Sequence, residues 1–184
     1  MKKSCFKGCF CSKAFTLVEL LVVVLIIGVL AAVAVPQYQK VIVKNKYTYV
    51  KMVGQAIARA QDLFYLEKGQ YSNGFSSLTI DMPREGFNGE KSNDGKYVYN
   101  WGYCVLNNRV AVECFLDKER MKFMMYYNHI NSAHKGERSC GVYEELNTRR
   151  DVQRKVCSQE TNRTSPSSGP HQSGENRHYL YEYK

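Results

Sequence analysis

Apolar residues follow two distinct patterns along the first third of this chain. From Phe15 to Val35 the sequence is apolar on every side of a helix and contains one charged residue, Glu19. A run of 21 residues with this composition is long enough to cross the hydrocarbon core of a bilayer as a helix. An ionised side chain there costs about 2.5–3.5 kcal/mol even on insertion-based scales, so Glu19 is expected to have a specific polar partner or a function.

From Pro36 to Lys68 the pattern becomes amphipathic. Apolar residues recur every three or four positions, at Tyr38, Val41, Ile42, Tyr49, Val53, Ala56, Ile57, Ala60 and Phe64. This spacing predicts one helix from Phe15 to Lys68, ended by Gly69. Because Pro36 removes a helical hydrogen bond, we expect a kink or a locally opened stretch near it; the alternative is a helix that ends at Pro36 and restarts.

The rest of the chain carries turn signals and then strand patterns. Residues 69–95 are dense in Gly, Ser, Asn and Asp, which predicts an irregular loop with one short element at 77–81. Aromatic and β-branched residues predict strands at 97–106, 109–116 and 122–127. An antiparallel sheet of three or four strands would bury its apolar face on the amphipathic half of the long helix. The predicted class is therefore α+β, a long N-terminal helical spine packed against a small sheet head.

Two further features of this region follow from composition. Asn107 and Asn108 are expected to form a two-residue hairpin turn. The tail from Ser158 to Arg177 is rich in Ser, Pro, Gly, Asn and charged residues, which predicts a mobile or loop-like segment. Residues 179–183 recover strand character and are expected either to join the sheet edge or to form a disordered end.

Charge divides the chain into a leader and an exported remainder. The first 14 residues carry no acid and four lysines, a cytoplasmic retention signal: Lys2, Lys3, Lys7 and Lys13. Removing these four from 26 basic residues leaves 22 against 17 acidic ones, a mild excess that is not typical of nucleic-acid binding. We therefore expect a leader at 1–14, a long helix at 15–68 whose apolar part is 15–35 and amphipathic part 36–68, and a globular head at 69–184.

The seven cysteines divide in the same way. Three lie in the leader, and four, an even number suited to disulfides in an oxidising compartment, lie in the exported part: Cys104, Cys114, Cys140 and Cys157. We favour Cys140 with Cys157, because they close a short polar segment, and by default Cys104 with Cys114. A two-residue turn would point Cys104 and Cys114 to opposite faces, so links from either one to Cys140 or Cys157 stay open.

No metal or cofactor site is predicted. Neither downstream cysteine pair has the C-x-x-C spacing of structural zinc. The histidines lie in polar, loop-like surroundings, at His129, His134, His171 and His178. The exported part also shows no nucleophile elbow, phosphate loop or paired-acid motif, so no catalytic residue is predicted.

The sequence Lys13-Ala14-Phe15-Thr16-Leu17-Val18-Glu19-Leu20-Leu21, followed by the apolar helix and Pro36, closely resembles the N-terminal signature of type IV prepilins and related pseudopilins. The resemblance covers residues 13–65 well and the remainder in general layout. It implies that a membrane-embedded prepilin peptidase cuts between Ala14 and Phe15 and methylates the new amine, giving N-methyl-Phe15. The family usually has Gly where this chain has Ala14.

The resemblance also implies roles in assembly. Cleavage would create a cation on Phe15, and a carboxylate in a low-dielectric surround is strongly stabilised by a nearby cation. The family points to the terminus of an adjacent subunit as the partner of Glu19, which would set the axial register of a growing filament. The alternative is that Glu19 lies near the membrane surface and has no such role. Gly28 and Pro36 bracket the stretch that, in the family, loosens on assembly; Gly28 also permits close helix packing.

The function predicted from these features is a structural subunit without catalysis of its own. It would be stored in the inner membrane, delivered to assembly machinery there, and polymerised with identical or related pilins into an extracellular filament. Alternatives are a type II secretion pseudopilin, or a signal-anchored secreted binding or enzymatic domain cut after Ala32-Val33-Ala34.

Adhesion or DNA capture by the filament is a further hypothesis. It rests on two basic groups, in the stem and in the C-terminal region, which are Lys40, Lys44, Lys46 and Lys51, and Arg149, Arg150, Arg154 and Lys155. Electrostatic capture would show a steep dependence on salt.

Overall fold

The computed structural model describes residues 15–79, 87–91, 96–107, 109–145, 150–173 and 176–183. The predicted leader at 1–14, with Ala14, lies outside these residues. So do Asn108 of the predicted turn and Arg149 of the C-terminal basic group.

Two helices, one short 3-10 turn and eight strands make up the described structure. They are α1 (Leu17–Lys68), the 3-10 turn (Phe75–Ser77), β1 (Phe87–Lys91), β2 (Lys96–Tyr99), β3 (Gly102–Asn107), β4 (Ala111–Leu116), β5 (Met121–Tyr126), β6 (Arg138–Glu145), α2 (Asp151–Thr161), β7 (Ser168–Ser173) and β8 (Asn176–Glu182). The strands form one sheet in the order β1-β2-β3-β4-β5-β6-β8-β7, with every neighbouring pair antiparallel. The predicted α+β class is confirmed, but the sheet has eight strands rather than three or four.

The chain divides into two compact units, residues 1–38 and residues 39–184. In the described part of the first unit, α1 begins at Leu17 and every large apolar side chain from Phe15 to Val35 is 46–79% exposed. The most apolar 18-residue window of α1 has a mean hydropathy of 3.1, and α1 is long and apolar enough to cross a membrane. The first unit therefore buries none of these side chains.

α1 is one continuous helix. It runs through Pro36, so the alternative of a helix that stops there and restarts is wrong. It ends where the sequence predicts, because Gly69 takes the left-handed conformation (φ +71°) and donates its N–H to the Tyr65 carbonyl at 2.8 Å.

The second unit has its core between α1 and one face of the sheet. Tyr47, Val50, Val53 and Ile57 are fully buried on α1, at the three- and four-residue spacing of one helical face. They belong to one apolar cluster with inward-facing strand residues, among them Val112, Cys114, Leu116, Met121, Phe123, Cys140 and Val142. Of the nine apolar positions in the predicted pattern, Val53, Ile57 and Ala60 are buried and Tyr38 and Val41 are exposed. The pattern thus identified the buried face only in part, because Tyr47 and Val50 were not among its positions.

The hairpin between β3 and β4 differs from the predicted two-residue turn. Asn107 pairs with Ala111, and the Val110 N–H donates to the Asn107 carbonyl at 2.8 Å, with Arg109 in the left-handed region (φ 60°). The connection is one residue longer than predicted and begins one residue later, so the partner of Cys104 moves by three positions, from Ala111 to Cys114. A second difference is that the predicted strand at 97–106 is two strands, β2 and β3, joined by a turn at residues 100–101.

Several elements in the C-terminal half were not predicted. The segment from Cys140 to Cys157, expected to be loop-like, contains most of β6 and the start of α2. The expected mobile tail contains the end of α2 and all of β7. The strand expected at 179–183 is β8, and it lies between β6 and β7 rather than at the edge. The structure has a 3-10 turn at Phe75–Ser77, earlier than the short element expected at 77–81, and residues 80–81 of that prediction lie outside the described residues.

At Gly54, α1 and the sheet lie close together. A Cβ atom built there would lie 2.5 and 2.8 Å from two ring carbons of Phe123. We expect Gly54→Ala to lower the free energy of unfolding of the head by about 1–3 kcal/mol, because the buried ring must shift. Urea unfolding followed by the fluorescence of Trp101, the chain's single tryptophan, measures this change.

Gly74→Ala is the matched control. A Cβ there would meet only the Ser76 hydroxyl at 3.7 Å, and the backbone is extended (φ −133°), so the change should stay within about 0.5 kcal/mol. Equal effects of the two substitutions would contradict the close approach at Gly54.

Candidate functional site

The first turn of α1 holds the candidate assembly residues Phe15 and Glu19. The Glu19 carboxylate accepts hydrogen bonds from the Thr16 backbone N–H and hydroxyl, both at 2.9 Å, and the Glu19 N–H donates to the Thr16 hydroxyl at 3.2 Å. This reciprocal pattern is a capping box, which satisfies N–H groups that have no partner inside the helix. The carboxylate is thereby held beside the start of the helix.

Thr16 is a contributor that the sequence reasoning missed. The signal was present, because a threonine followed three residues later by a glutamate before an apolar run is the capping-box signature. Within the described chain, the partner that the structure gives Glu19 is thus a local one. Its predicted cationic partner would come from processing of Phe15, whose side chain is 70% exposed.

Gly28 and Pro36 both lie inside α1, eight residues apart. A Cβ at Gly28 would meet nothing within 4 Å, so the glycine leaves a shallow, accessible place on the helix surface. Small residues of this kind let membrane helices approach closely. Loosening of the helix between the two residues stays a prediction.

The structure brings the four head cysteines together in two disulfides. Cys104 lies opposite Cys114 on β3 and β4, with the Cα atoms 4.0 Å apart, and Cys140 on β6 joins Cys157 on α2, with the Cα atoms 5.5 Å apart. All four are fully buried in the apolar core. The longer and later turn, which moves the pairing of β3 with β4 by three positions, is what places Cys104 opposite Cys114.

A buried ion pair holds α2 beside the Cys140–Cys157 bridge. Arg154 donates to both carboxylate oxygens of Glu144, and Glu144 is 3% exposed and also accepts the Arg150 backbone N–H at 2.9 Å. The hydrogen bond to Glu144 raises the pKa of Arg154, which also lies over the Tyr179 ring at 3.9 Å. A bidentate pair of this kind fixes orientation, and removing one partner would leave a buried charge.

The C-terminus is attached to α1 within the second unit. The Tyr183 and Tyr47 hydroxyls lie 3.3 Å apart. Burial raises the pKa of Tyr183 to about 12 and also raises that of Tyr47, so both remain neutral hydrogen-bonding groups at physiological pH.

Three of the stem lysines contact acidic residues of the head. Lys44 and Lys51 pair with Glu160 on α2, and Lys46 pairs with Glu119 in the turn after β4. In the C-terminal basic group, Arg154 forms an ion pair with Glu144. Four of the eight basic residues on which the DNA hypothesis rested are therefore paired with three carboxylates of the head.

Comparison with known proteins locates the resemblance at the N-terminus. Residues 9–35 match the prokaryotic N-terminal methylation motif. The N-terminal segment is thus similar to that of type IV pilins. Similar proteins include the type IV major pilin protein PilA of Myxococcus xanthus, 42% identical over 62 residues, which are 34% of this chain and 28% of PilA.

Two further pilin relatives show the same partial coverage. A fimbrial protein of Pseudomonas aeruginosa is 37% identical over 79 residues, 37% of this chain and 51% of that protein. The type IV major fimbrial protein FimA of Dichelobacter nodosus is 55% identical over 38 residues, 21% of this chain and 24% of FimA. The matches thus span about a quarter to a half of these pilins. No solved structure matches the chain.

The disulfides should contribute strongly to the stability of the head. Cys140 and Cys157 are 17 residues apart, and a bridge closing a loop of this size stabilises by about 3 kcal/mol in the chain-entropy model. We expect a Cys140→Ala and Cys157→Ala double variant to lose about this free energy of unfolding, measured by urea unfolding of the oxidised protein.

Reduction supplies the control for this experiment. A reductant should destabilise the unaltered chain by more than it destabilises the double variant, which keeps only the Cys104–Cys114 bridge. A double variant as stable as the unaltered chain would show that the second bridge does not constrain the head.

Proposed function

We propose that this chain is the structural subunit of a type IV pilus-like filament. Prepilin peptidase would cut between Ala14 and Phe15, N-methyl-Phe15 would begin the mature subunit, and polymerisation would proceed through the apolar part of α1. The single observation that carries the proposal is an N-terminal apolar helix segment whose large apolar side chains are exposed and which lies within the methylation motif at residues 9–35.

The exposed helix requires an apolar environment from outside the chain. Fifteen large apolar side chains lie between Phe15 and Val35, and each is roughly half exposed or more. Full burial of one such side chain is worth about 1.5–3 kcal/mol, so a water-exposed helix of this kind is strongly disfavoured. A bilayer would cover it before assembly, and neighbouring subunits would cover it in the filament core. The chain would accordingly pass from the inner membrane to an extracellular filament.

Glu19 would act as the assembly residue. Its carboxylate is held at the start of α1, close to Phe15, whose new amine would be a cation. In a low-dielectric core, the amine of an adjacent subunit would supply the partner that such a carboxylate needs. Gly28 and Pro36 would then allow the helix to loosen as subunits enter.

Under this proposal the chain would have four segments. Residues 1–14 would be the leader, 15–35 the membrane and filament-core segment, 36–68 the amphipathic helix, and 69–184 the head, with no catalytic role. Partners would be identical or related pilins, prepilin peptidase, the inner-membrane assembly machinery and lipid. A type II secretion pseudopilin is the alternative within the same class.

The start of the mature chain separates the filament from a secreted protein. We expect sheared surface material to contain a chain that begins at methylated Phe15, detected by intact mass and N-terminal sequencing. Replacing Ala14 by Gly should leave this start unchanged, because the family usually carries glycine there. A chain beginning at Val35 would instead indicate secretion after signal cleavage, and an intact N-terminus would indicate a plain anchor.

Substitution of Glu19 separates charge from helix capping. Glutamine at position 19 can still accept the Thr16 N–H and keep the capping box, but it cannot pair with a cation. We expect Glu19→Gln to be processed and membrane-inserted but to lose nearly all filament assembly in a bacterial host with a type IV pilus system. Sheared filament yield relative to membrane-bound subunit measures the effect.

Glu67→Gln is the matched control, because Glu67 is exposed near the other end of the same helix. It should assemble normally. Normal assembly of Glu19→Gln would leave capping as the role of Glu19 and remove the charge-pairing proposal.

A further inference from the structure

Three potential metal ligands meet at the end of the sheet where β5, β6 and β8 lie side by side. His134 and Glu137 belong to the loop between β5 and β6, and Glu182 is the last residue of β8. One imidazole nitrogen and one carboxylate oxygen from each glutamate all lie within 4.8 Å of one another. The closest pair is His134 Nδ1 and a Glu137 oxygen, at 2.7 Å.

These distances are close to those that a bound ion requires. Zinc binds imidazole nitrogen and carboxylate oxygen at about 2.0–2.2 Å, so ligand atoms around a tetrahedral ion are separated by about 3.4 Å. The three atoms could reach that spacing by shifts of about 1 Å in exposed or half-exposed side chains, without movement of the backbone.

Backbone hydrogen bonds hold the loop ligands in place. Gly136 adopts the left-handed conformation (φ +72°) and donates its N–H to the Tyr127 carbonyl at 3.2 Å. The Glu137 N–H donates to the His134 carbonyl at 2.9 Å, and the Glu137 carbonyl accepts the Tyr126 N–H at 2.9 Å. His134 and Glu137 are therefore brought to the same side of a fixed turn.

Glu182 is held equally well. It lies opposite Ser139 in the pairing of β6 with β8, its N–H donates to the Ser167 hydroxyl at 2.9 Å, and its carbonyl accepts Arg163 Nε at 2.7 Å. The His134 ring stacks on Tyr126 with the ring centres 5.4 Å apart, which limits its orientation. Ligands on fixed backbone are the condition for a selective metal site.

The three side chains line a cavity of about 220 Å³. Two cations lie nearby: Arg138 lines the cavity, and Arg163 Nη2 is 3.9 Å from a Glu182 oxygen. Two carboxylates would neutralise a divalent ion, and an imidazole favours zinc and its transition-metal neighbours over calcium or magnesium. Arg163 would compete with the ion for Glu182.

We propose that His134, Glu137 and Glu182 form a zinc-type divalent metal site that joins the β5–β6 loop to the C-terminal strand β8. The sequence pattern did not indicate it, because the third ligand is 45 positions from the second and the fold alone brings them together. Three protein ligands leave one position of a tetrahedral ion open to water or to a group from a neighbouring molecule.

The experiment uses the full chain in detergent, without an affinity tag and with Cys5, Cys9 and Cys11 replaced by serine, because leader thiols would bind zinc themselves. Calorimetric titration with Zn²⁺ should show one saturable site. Thermal unfolding should show that Zn²⁺ raises the midpoint temperature of the head. His134→Ala and Glu182→Gln should each weaken Zn²⁺ binding by roughly tenfold or more, since even the loss of an outer hydrogen-bonding partner costs 10–100-fold.

Two controls make the result specific. His129 belongs to the same loop as His134, but it stacks on Tyr65 of α1 and lies outside the cluster. His129→Ala should therefore leave Zn²⁺ binding unchanged. Glu67→Gln, which changes an exposed carboxylate on α1 outside the cluster, should likewise leave Zn²⁺ binding unchanged. Absence of saturable binding, binding unaffected by His134→Ala, or Ca²⁺ bound more tightly than Zn²⁺ would each overturn the proposal.

Discussion

The constraint on which the rest of this molecule depends is an apolar helix segment whose side chains are exposed in the described part of the chain. Fifteen large apolar side chains among the described residues before Tyr38 are exposed. Further along the same helix, side chains such as Val50 and Ile57 are fully buried. The two halves of the helix therefore differ in how their apolar side chains are covered. Its second half completes the core of the head, and its first half needs lipid or other protein molecules.

The helix and its two halves could be predicted because they rest on local, periodic signals. An apolar run, a three- and four-residue period and a terminal glycine are each readable without knowledge of the fold. The same holds for the capping box formed by Thr16 and Glu19, although the sequence reasoning passed over it. Glu19 stood out as a charge in an apolar run, and a cationic partner for it stays a prediction.

The C-terminal half was less predictable because its order comes from long-range contacts. α2 is polar along most of its length and is held by a disulfide to β6 and by the buried pair of Arg154 with Glu144. β7 reads as a flexible Ser- and Gly-containing tail, yet it pairs with β8. The register of Cys104 with Cys114 depended on the length and the position of a turn, which composition does not determine. Such segments gain their structure from partners that are distant in the sequence.

These features bear on how a subunit of this kind would leave the membrane. Helices in lipid gain little from the hydrophobic effect when they associate, because acyl chains are as apolar as leucine. Under the proposed function, exchange of lipid for neighbouring helices would leave apolar burial nearly unchanged. The energetic difference between the two states would then lie in the polar groups, and Glu19 is the single ionisable side chain between Phe15 and Val35. Two disulfides cross-link the head, and ion pairs join it to α1 at Lys46 and Lys51. The head would therefore keep its own structure while that exchange takes place.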